Sequence, residues 1–399
     1  MPRQPIYLDN QATTAVDPRV LAAMLPYFTE TYGNPHSNGH PYGWEANEAL
    51  EQSRSEVEAL VGADAREIVF TSGATEACNI AIRGVAQAEK KRRARGGRSR
   101  IVTLATEHAC VLSPCADLAR EGWEVVVLPV GRDGIVDLDA VAEVVDERTL
   151  LVSAMLANNE IGVLQPIAEI SAICRANGAT LHTDATQAIG KIPVDVHALG
   201  VDLLSLSAHK FYGPMGIGAL YVRWRPKVKL APLASGGGQE RGIRPGTAPV
   251  PLAAGLGEAC RIAGAEMATD ARRIQRLTGR LWDGLRQRCP QAILYGHPSL
   301  RIPGNLSVGF PGQSGEKIVD AVSRHVAIST GSACSSSEAK PSYVLAALGI
   351  GAEAAQSTVR LSVGRFNTEA EMDAASIWLS KKTNVPSYEQ SGTSRAFVA

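Results

Sequence analysis

Residues 67–93 read EIVFTSGATEACNIAIRGVAQAEKKRR. Glu67 to Ser72 is a short apolar run with β-branched and aromatic residues, the pattern of a buried strand, and Gly73 turns the chain directly after it. Residues 74–93 return to helical spacing. Working outward, the same alternation repeats. Upstream, Ala46, Ala49, Leu50, Val57, Leu60 and Val61 recur at helical spacing until Gly62 stops the run. Downstream, short apolar runs at 101–105, 124–129, 150–155, 180–183 and 202–206 are mostly separated by helix-length segments. Such alternation builds βαβ units and predicts an α/β fold, with a large domain over 13–260 whose mainly parallel sheet lies between helices. After about residue 260 the texture changes. A charged helical stretch at 265–288, strand-like segments at 292–295 and 304–310, and helical patterns at 314–324, 341–349 and 368–382 predict a smaller α+β domain. It is expected to comprise 1–12 and 261–385, leaving 386–399 as a polar, flexible tail.

The 399-residue chain is 45% hydrophobic and balances 40 basic against 40 acidic residues. A net charge of zero gives no global reason to expect nucleic acid or an anionic membrane as a partner. The N-terminus lacks the charged and apolar regions of a signal peptide, and no apolar run approaches the ~18 residues of a membrane span. A soluble, cytoplasmic protein is expected. The seven cysteines form no CxxC pair and no run with zinc spacing, so the sequence assigns no metal site and fits reduced thiols. One charge cluster stands out: Lys90, Lys91, Arg92, Arg93, Arg95, Arg98 and Arg100. It reads either as a docking patch for RNA or an acidic protein, or as a solvated helix end favoured by the helix dipole. No aromatic residues interleave with the charges as a nucleic-acid groove requires, which favours the second reading.

Four segments carry chemistry. In 205–220, Lys210 follows an apolar strand and is flanked by Ser207, His209 and a glycine-rich turn. A lysine amine becomes a useful nucleophile when burial or a nearby cation depresses its pKa, as covalent carbonyl chemistry requires. In 70–76, a strand, Gly73 and a helix start with Thr75 offer free N–H groups to a phosphate, though a hydroxyl there also serves as a plain N-cap. In 181–187, Asp184 ends a buried strand, at the rim where open α/β sheets bind ligands; it reads equally as the start of a turn. In 329–337, Cys334 sits among small polar residues, which suits an exposed nucleophilic thiol. Cys110, Cys174 and Cys260 sit among apolar residues, and all six other cysteines read as structural. No GxGxxG follows an early strand, which disfavours a nicotinamide dehydrogenase.

These segments resemble, in order, those of the cysteine desulfurases, pyridoxal-phosphate (PLP) enzymes of the class V aminotransferase type. The likeness runs from Tyr7-Leu-Asp-Asn-Gln-Ala-Thr-Thr to about Gly364-Arg365-Phe366. It includes Tyr32-Gly-Asn-Pro-His-Ser, Thr106-Glu-His, Asn158-Asn-Glu-Ile-Gly, Gly236-Gly-Gly-Gln-Glu-Arg-Gly and Val359-Arg-Leu-Ser. The resemblance implies that Lys210 holds PLP covalently, Asp184 pairs with the ring nitrogen and Gln187 bonds the ring hydroxyl. His108 would stack on the ring and move protons, while Ala74, Thr75, Ser207 and His209 bind the phosphate. Thr247 would reach the phosphate of a neighbouring subunit, implying a homodimer. Asn159 and Arg360 would contact cofactor and the L-cysteine substrate, with Cys334 taking the sulfur as a persulfide for an acceptor protein. Iron–sulfur clusters, tRNA and DNA sulfur modification are all open as destinations. Ala208, Met215 and Pro245 stand where the family commonly has glycine, lysine and serine; none removes a catalytic group. The tail lacks the long extension with which many members dock a scaffold. Rival readings are a selenocysteine lyase or another class V enzyme, and a non-catalytic sulfur-relay subunit.

Overall fold

A computed structural model describes residues 4–94, 96–331 and 341–383. Arg95, Cys334 and the 386–399 tail lie outside the described residues. In chain order the strands are β1 (Ile6–Tyr7), β2 (Ile68–Thr71), β3 (Arg100–Leu104), β4 (Glu124–Leu128), β5 (Thr149–Ser153) and β6 (Thr180–Asp184). They continue with β7 (Leu203–Ser207), β8 (Gly218–Val222), β9 (Ile293–Leu294), β10 (Asn305–Gly309), β11 (Val326–Ala327) and β12 (Thr358–Ser362). Seven form one sheet, in the order β2-β8-β7-β6-β5-β3-β4. From β4 to β7 every pairing is parallel, whereas β8 runs antiparallel to both β7 and β2. Chain length explains the exception. Only residues 208–217 join β7 to β8, too few for the crossover of a dozen or more residues that a parallel return needs.

Every residue of β2, β3, β5, β7 and β8 is buried, because helices cover both faces of the sheet. One core packs Phe70, Leu104, Val152, Leu181 and Leu206 together, and a second packs Ile80, Val111, Leu151 and Leu220 together. The Pro41–Val61 helix ends where Gly62 takes φ +69°, the left-handed cap that glycine allows at least cost.

The composition shift near residue 260 does not mark a break in the chain. One helix, Val250–Arg288, runs straight through it. Its first half packs Ala253, Leu256 and Ala259 into the large core, and its second half packs Leu277, Leu281 and Leu285 into a separate core with Leu8, Val308, Leu361 and Met372. The first half escapes a periodicity search because glycine replaces apolar bulk where helices meet. A Cβ on Gly255 would lie 2.6 Å from Met24 Sδ, and one on Gly257 2.8 Å from Ser53 Cα. The second core is floored by the antiparallel β9-β10-β12 sheet, and β1 pairs in parallel with β11. The chain's first described strand therefore sits among its last elements.

Much of the basic cluster is structural. Arg93 stacks over Trp123, 4.5 Å from the ring centre, and donates to the Gly122 carbonyl. Arg98 caps the carbonyls of Thr149 (2.5 Å) and Asn177 (2.9 Å). Arg100, only 9% exposed in its side chain, pairs with Glu124 (2.8 Å) and Asp146 (3.0 Å).

Candidate active site

The parallel strands aim their C-terminal ends at one cavity of about 440 Å³, a size typical of cofactor sites. Asp184 is the last residue of β6, and Ser207 the last of β7. The 3-10 turn Ala208–Lys210 follows β7 directly and delivers His209 and Lys210 to the rim. After β3, His108 caps the helix Ala109–Arg120, its Nδ1 accepting from the Cys110 amide at 3.2 Å. After β2, the helix Ala74–Arg93 begins at Gly73, whose φ of +146° is a region other residues avoid. The Ala74 and Thr75 end of that helix, with its free amides and positive dipole end, faces the cavity beside Ser207.

Of the residues singled out from the sequence, Ala74, Thr75, His108, Asn159 and Asp184 line this cavity. Gln187, Ser207, His209, Lys210 and Arg360 line it too. Thr247 does not; it is exposed and outside the cavity lining. The fourth segment is represented by its flanks. Ser329 Oγ donates to Asp9 at 3.0 Å, Ser342 donates to Glu160, and Tyr343 donates to the Glu107 carbonyl at 2.7 Å. Ser329 also accepts from Arg360 at 2.9 Å, Glu160 follows Asn159 and Glu107 precedes His108, so both flanks of the Cys334 segment are tied to cavity-lining residues or their chain neighbours.

Sequence reasoning gave no role to several residues that matter. Lys210 Nζ donates to the backbone carbonyls of Gln11 (2.8 Å) and Ala12 (2.6 Å), two residues that line the same cavity. Gln187 donates through Nε2 to the same Gln11 carbonyl at 2.9 Å, and its Oε1 accepts from Lys191 Nζ at 2.7 Å. Burial, with Lys210 and Arg360 nearby, pushes Lys191 down to about 7. The only sequence signal for Lys191 is its position four residues after Gln187 in an otherwise apolar stretch.

Arg360 arrives from the small sheet, in the middle of β12. Its Nη2 donates to Asp9 and to Ser329 Oγ, both at 2.9 Å, and its Nη1 to the Asn159 carbonyl at 2.8 Å. Behind Asp184, His182 spans Ser153 Oγ (2.8 Å) and Ser205 Oγ (2.9 Å), and burial pushes it down to about 4. His209 is likewise pushed down to about 4, by burial and then by Lys210 and Lys191. Burial also holds the Glu107 carboxyl well above the usual range.

The donor set fits PLP on an observation independent of any motif. Gln11 Nε2, Asn159 Oδ1, Thr186 Oγ1 and Arg360 Nε are buried, belong to residues that line the cavity, and have no hydrogen-bond partner among the described residues. Buried polar atoms rarely stay unpaired in a folded chain, so four around one cavity mark a site for a polar ligand. A carboxylate, a helix N-terminus and a lysine amine on one cavity are the groups that a pyridine nitrogen, a phosphate and an aldehyde call for.

Residues 6–375 match the family described as Aminotransferase class-V. The chain is 52% identical over 371 residues to a probable mitochondrial cysteine desulfurase of Dictyostelium discoideum, covering 93% of this chain and 81% of the relative. It is 49% identical over 371 residues to the cysteine desulfurase IscS of Rickettsia africae (strain ESF-5), covering 93% and 89%. A solved NifS-like protein superposes with a TM-score of 0.87 at 38% identity, covering 95% of this chain and 98% of that one.

Proposed function

We infer the chemistry from kinship: the chain belongs to the class-V aminotransferase family, among its cysteine desulfurases, and it takes sulfur from L-cysteine to leave L-alanine. PLP, when bound, supplies an electron sink for the bonds at the substrate Cα. We assign the phosphate to the Ala74–Thr75 helix end with Ser207 and His209, the ring nitrogen to Asp184 and the ring hydroxyl to Gln187. His108 would lie against the ring and move protons. Lys210 would hold the cofactor covalently through its amine. Arg360 keeps Nε free for the substrate carboxylate, beside Asn159. A hydrogen bond from a guanidinium N–H to a carboxylate is charge-assisted and so stronger than a neutral one.

Cys334 completes the reaction. Its thiolate attacks the substrate sulfur; the new S–S bond forms as the substrate's C–S bond breaks, and the carbon fragment takes up a proton and leaves as alanine. The enzyme keeps a persulfide on Cys334, which an acceptor protein receives. The observation that carries this reading is the set of buried polar atoms, without partners among the described residues, on residues that line the same cavity as Lys210. The test is alanine release from cysteine by wild type and Cys334→Ala. Loss of turnover with unchanged cofactor absorbance is expected, and unchanged turnover overturns the role of Cys334.

The same family reading gives a homodimer with shared sites. Exposed Leu21, Leu25, Phe28, Tyr42 and Trp44 supply apolar surface for a second copy, and Thr247 is free to reach the partner's phosphate. Mixed dimers test it. Lys210→Ala and Thr247→Ala variants, each weak alone, should regain activity when subunits exchange, and no gain refutes sharing. Among the described residues no helix is long and apolar enough to cross a membrane. The six described cysteines are free and buried, and we place the chain in a reducing compartment such as the cytoplasm.

A further inference from the structure

Two cysteines far apart in sequence meet under the cavity. Cys78 sits on the first helix after β2, and Cys110 on the helix that His108 caps. Their sulfurs lie 3.7 Å apart, and Cys110 Sγ lies 3.8 Å from Asp184 Oδ2. All three ligand atoms fall within 4.8 Å of one another, and all three residues are buried. Nothing in the desulfurase reaction uses either thiol.

Tetrahedral zinc binds thiolate at about 2.3 Å and carboxylate oxygen at about 2.0–2.2 Å, which sets ligand separations of about 3.8 Å for S···S and about 3.5 Å for S···O. The observed 3.7 and 3.8 Å separations meet that geometry already, leaving only the Cys78–Asp184 edge to close. Cys110 and Asp184 both face the cavity, so an ion held here has an entry path and an open fourth position for water.

We propose that, in the cofactor-free protein, Cys78, Cys110 and Asp184 bind one thiophilic divalent cation of the zinc type at the cavity floor. Binding forms two metal–sulfur bonds and one metal–oxygen bond and releases two thiol protons to solvent, with no change of oxidation state. Affinity therefore rises with pH. Two thiolates select zinc, cadmium or cobalt over magnesium. Because the ion takes the carboxylate assigned above to the ring nitrogen, it and the cofactor compete; this consequence, unlike the site itself, rests on that assignment.

The test uses the full chain freed of PLP, in a Cys334→Ala background so that the reactive thiol contributes no ligand. Cobalt(II) titrated into it should give the visible absorption of a tetrahedral thiolate complex, saturating at one ion per chain, and magnesium should not displace it. Cys78→Ser should weaken binding by more than about 100-fold, beyond the 10–100-fold that loss of an outer partner costs. Its retained PLP uptake shows that it folds. Absence of the band, or an equal band in Cys78→Ser, overturns the proposal, as does zinc failing to bind wild type in a competition against a chromophoric chelator. Added PLP should remove the band. A cobalt band that persists after the cofactor has bound leaves the metal site standing and overturns the role given to Asp184.

Discussion

Replacing Arg360 with lysine keeps the charge and removes the fork. Arg360 commits Nη2 to Asp9 and Ser329 and Nη1 to the Asn159 carbonyl, which leaves Nε as the donor without a partner. Lysine offers its donors at a single nitrogen, so it can satisfy Asp9 or face the substrate but not both. The variant should lose one hydrogen bond to a charged carboxylate, about 1.5–3 kcal/mol. At 1.36 kcal/mol per tenfold, kcat/KM for cysteine should fall about 10- to 150-fold. Most of the loss should appear in KM, because the carboxylate does not change during the chemistry. The assay is alanine formation against cysteine concentration, with cofactor occupancy measured beside it. Cysteamine, which keeps amine and thiol but lacks the carboxylate, should not distinguish the variant from wild type. An unchanged KM for cysteine, or an equal loss with cysteamine, refutes the contact and leaves Arg360 as a strut between Asp9 and Asn159.

Arg54→Met should destabilise the fold by about 3–5 kcal/mol, because it strands a buried carboxylate. Glu240 now accepts from Arg54 at 2.8 and 3.0 Å and from the Phe70 amide at 2.8 Å, and both side chains of the pair are nearly inaccessible. The urea midpoint reports it, and no recovery when Glu240→Met is added would argue against the stranded charge. Gly73→Ala forces a residue with a Cβ to φ +146° and should cost about 1–3 kcal/mol at the helix end that receives phosphate. PLP affinity measured by fluorescence should fall accordingly, and unchanged affinity would remove that helix end from the site. His182 takes its proton near pH 4 in the folded chain, against about 6.5 unfolded. The unfolded chain binds the extra proton between those values, so stability is full above pH 6.5 and is lost as pH falls toward 4, by on the order of 3 kcal/mol. His182→Gln should flatten that slope, and identical slopes refute the assignment.

The parts of the fold that were legible in the sequence are those whose signal is local. The EIVFTS run, the following helix to Arg93 and the strands ending at Asp184 and Ser207 all lie within about a residue or two of where apolar runs and turn residues put them. What stayed hidden depends on partners. The Gly218–Val222 strand sits inside a glycine-rich stretch that reads as a turn, and only its pairing with β2 and β7 makes it the sheet's antiparallel member. The first half of the Val250–Arg288 helix places Gly255 and Gly257 where Met24 and Ser53 come close, so glycine interrupts the apolar stripe formed by Val250, Leu256, Cys260 and Ile262. At the site, motifs reveal the residues at strand ends. The Gln11 carbonyl that accepts from Lys210 and the approach of Cys78 to Cys110 are long-range, and no spacing encodes them; the Lys191–Gln187 bond has a four-residue spacing but depends on how the two side chains turn.

The residues that join the two cores explain why the N-terminal segment reads as part of the site. Asp9 pairs with Arg360 at 2.9 Å, Gln11 Oε1 accepts from Asn305 on β10 at 2.6 Å, and the Gln11 and Ala12 carbonyls hold the Lys210 amine. Thr14 then bonds the backbone of His209 and Tyr212. A single stretch of chain thus ties the arginine assigned to the substrate carboxylate to the lysine assigned to the cofactor. Each tie alone is an ordinary hydrogen bond of about 1 kcal/mol. Their joint effect is geometric: any shift of the small sheet relative to the large one must move the Gln11 carbonyl that Lys210 and Gln187 share. Loosening at Asp9 should therefore register at Lys210, on the other side of the cavity, before it registers in the stability of either core.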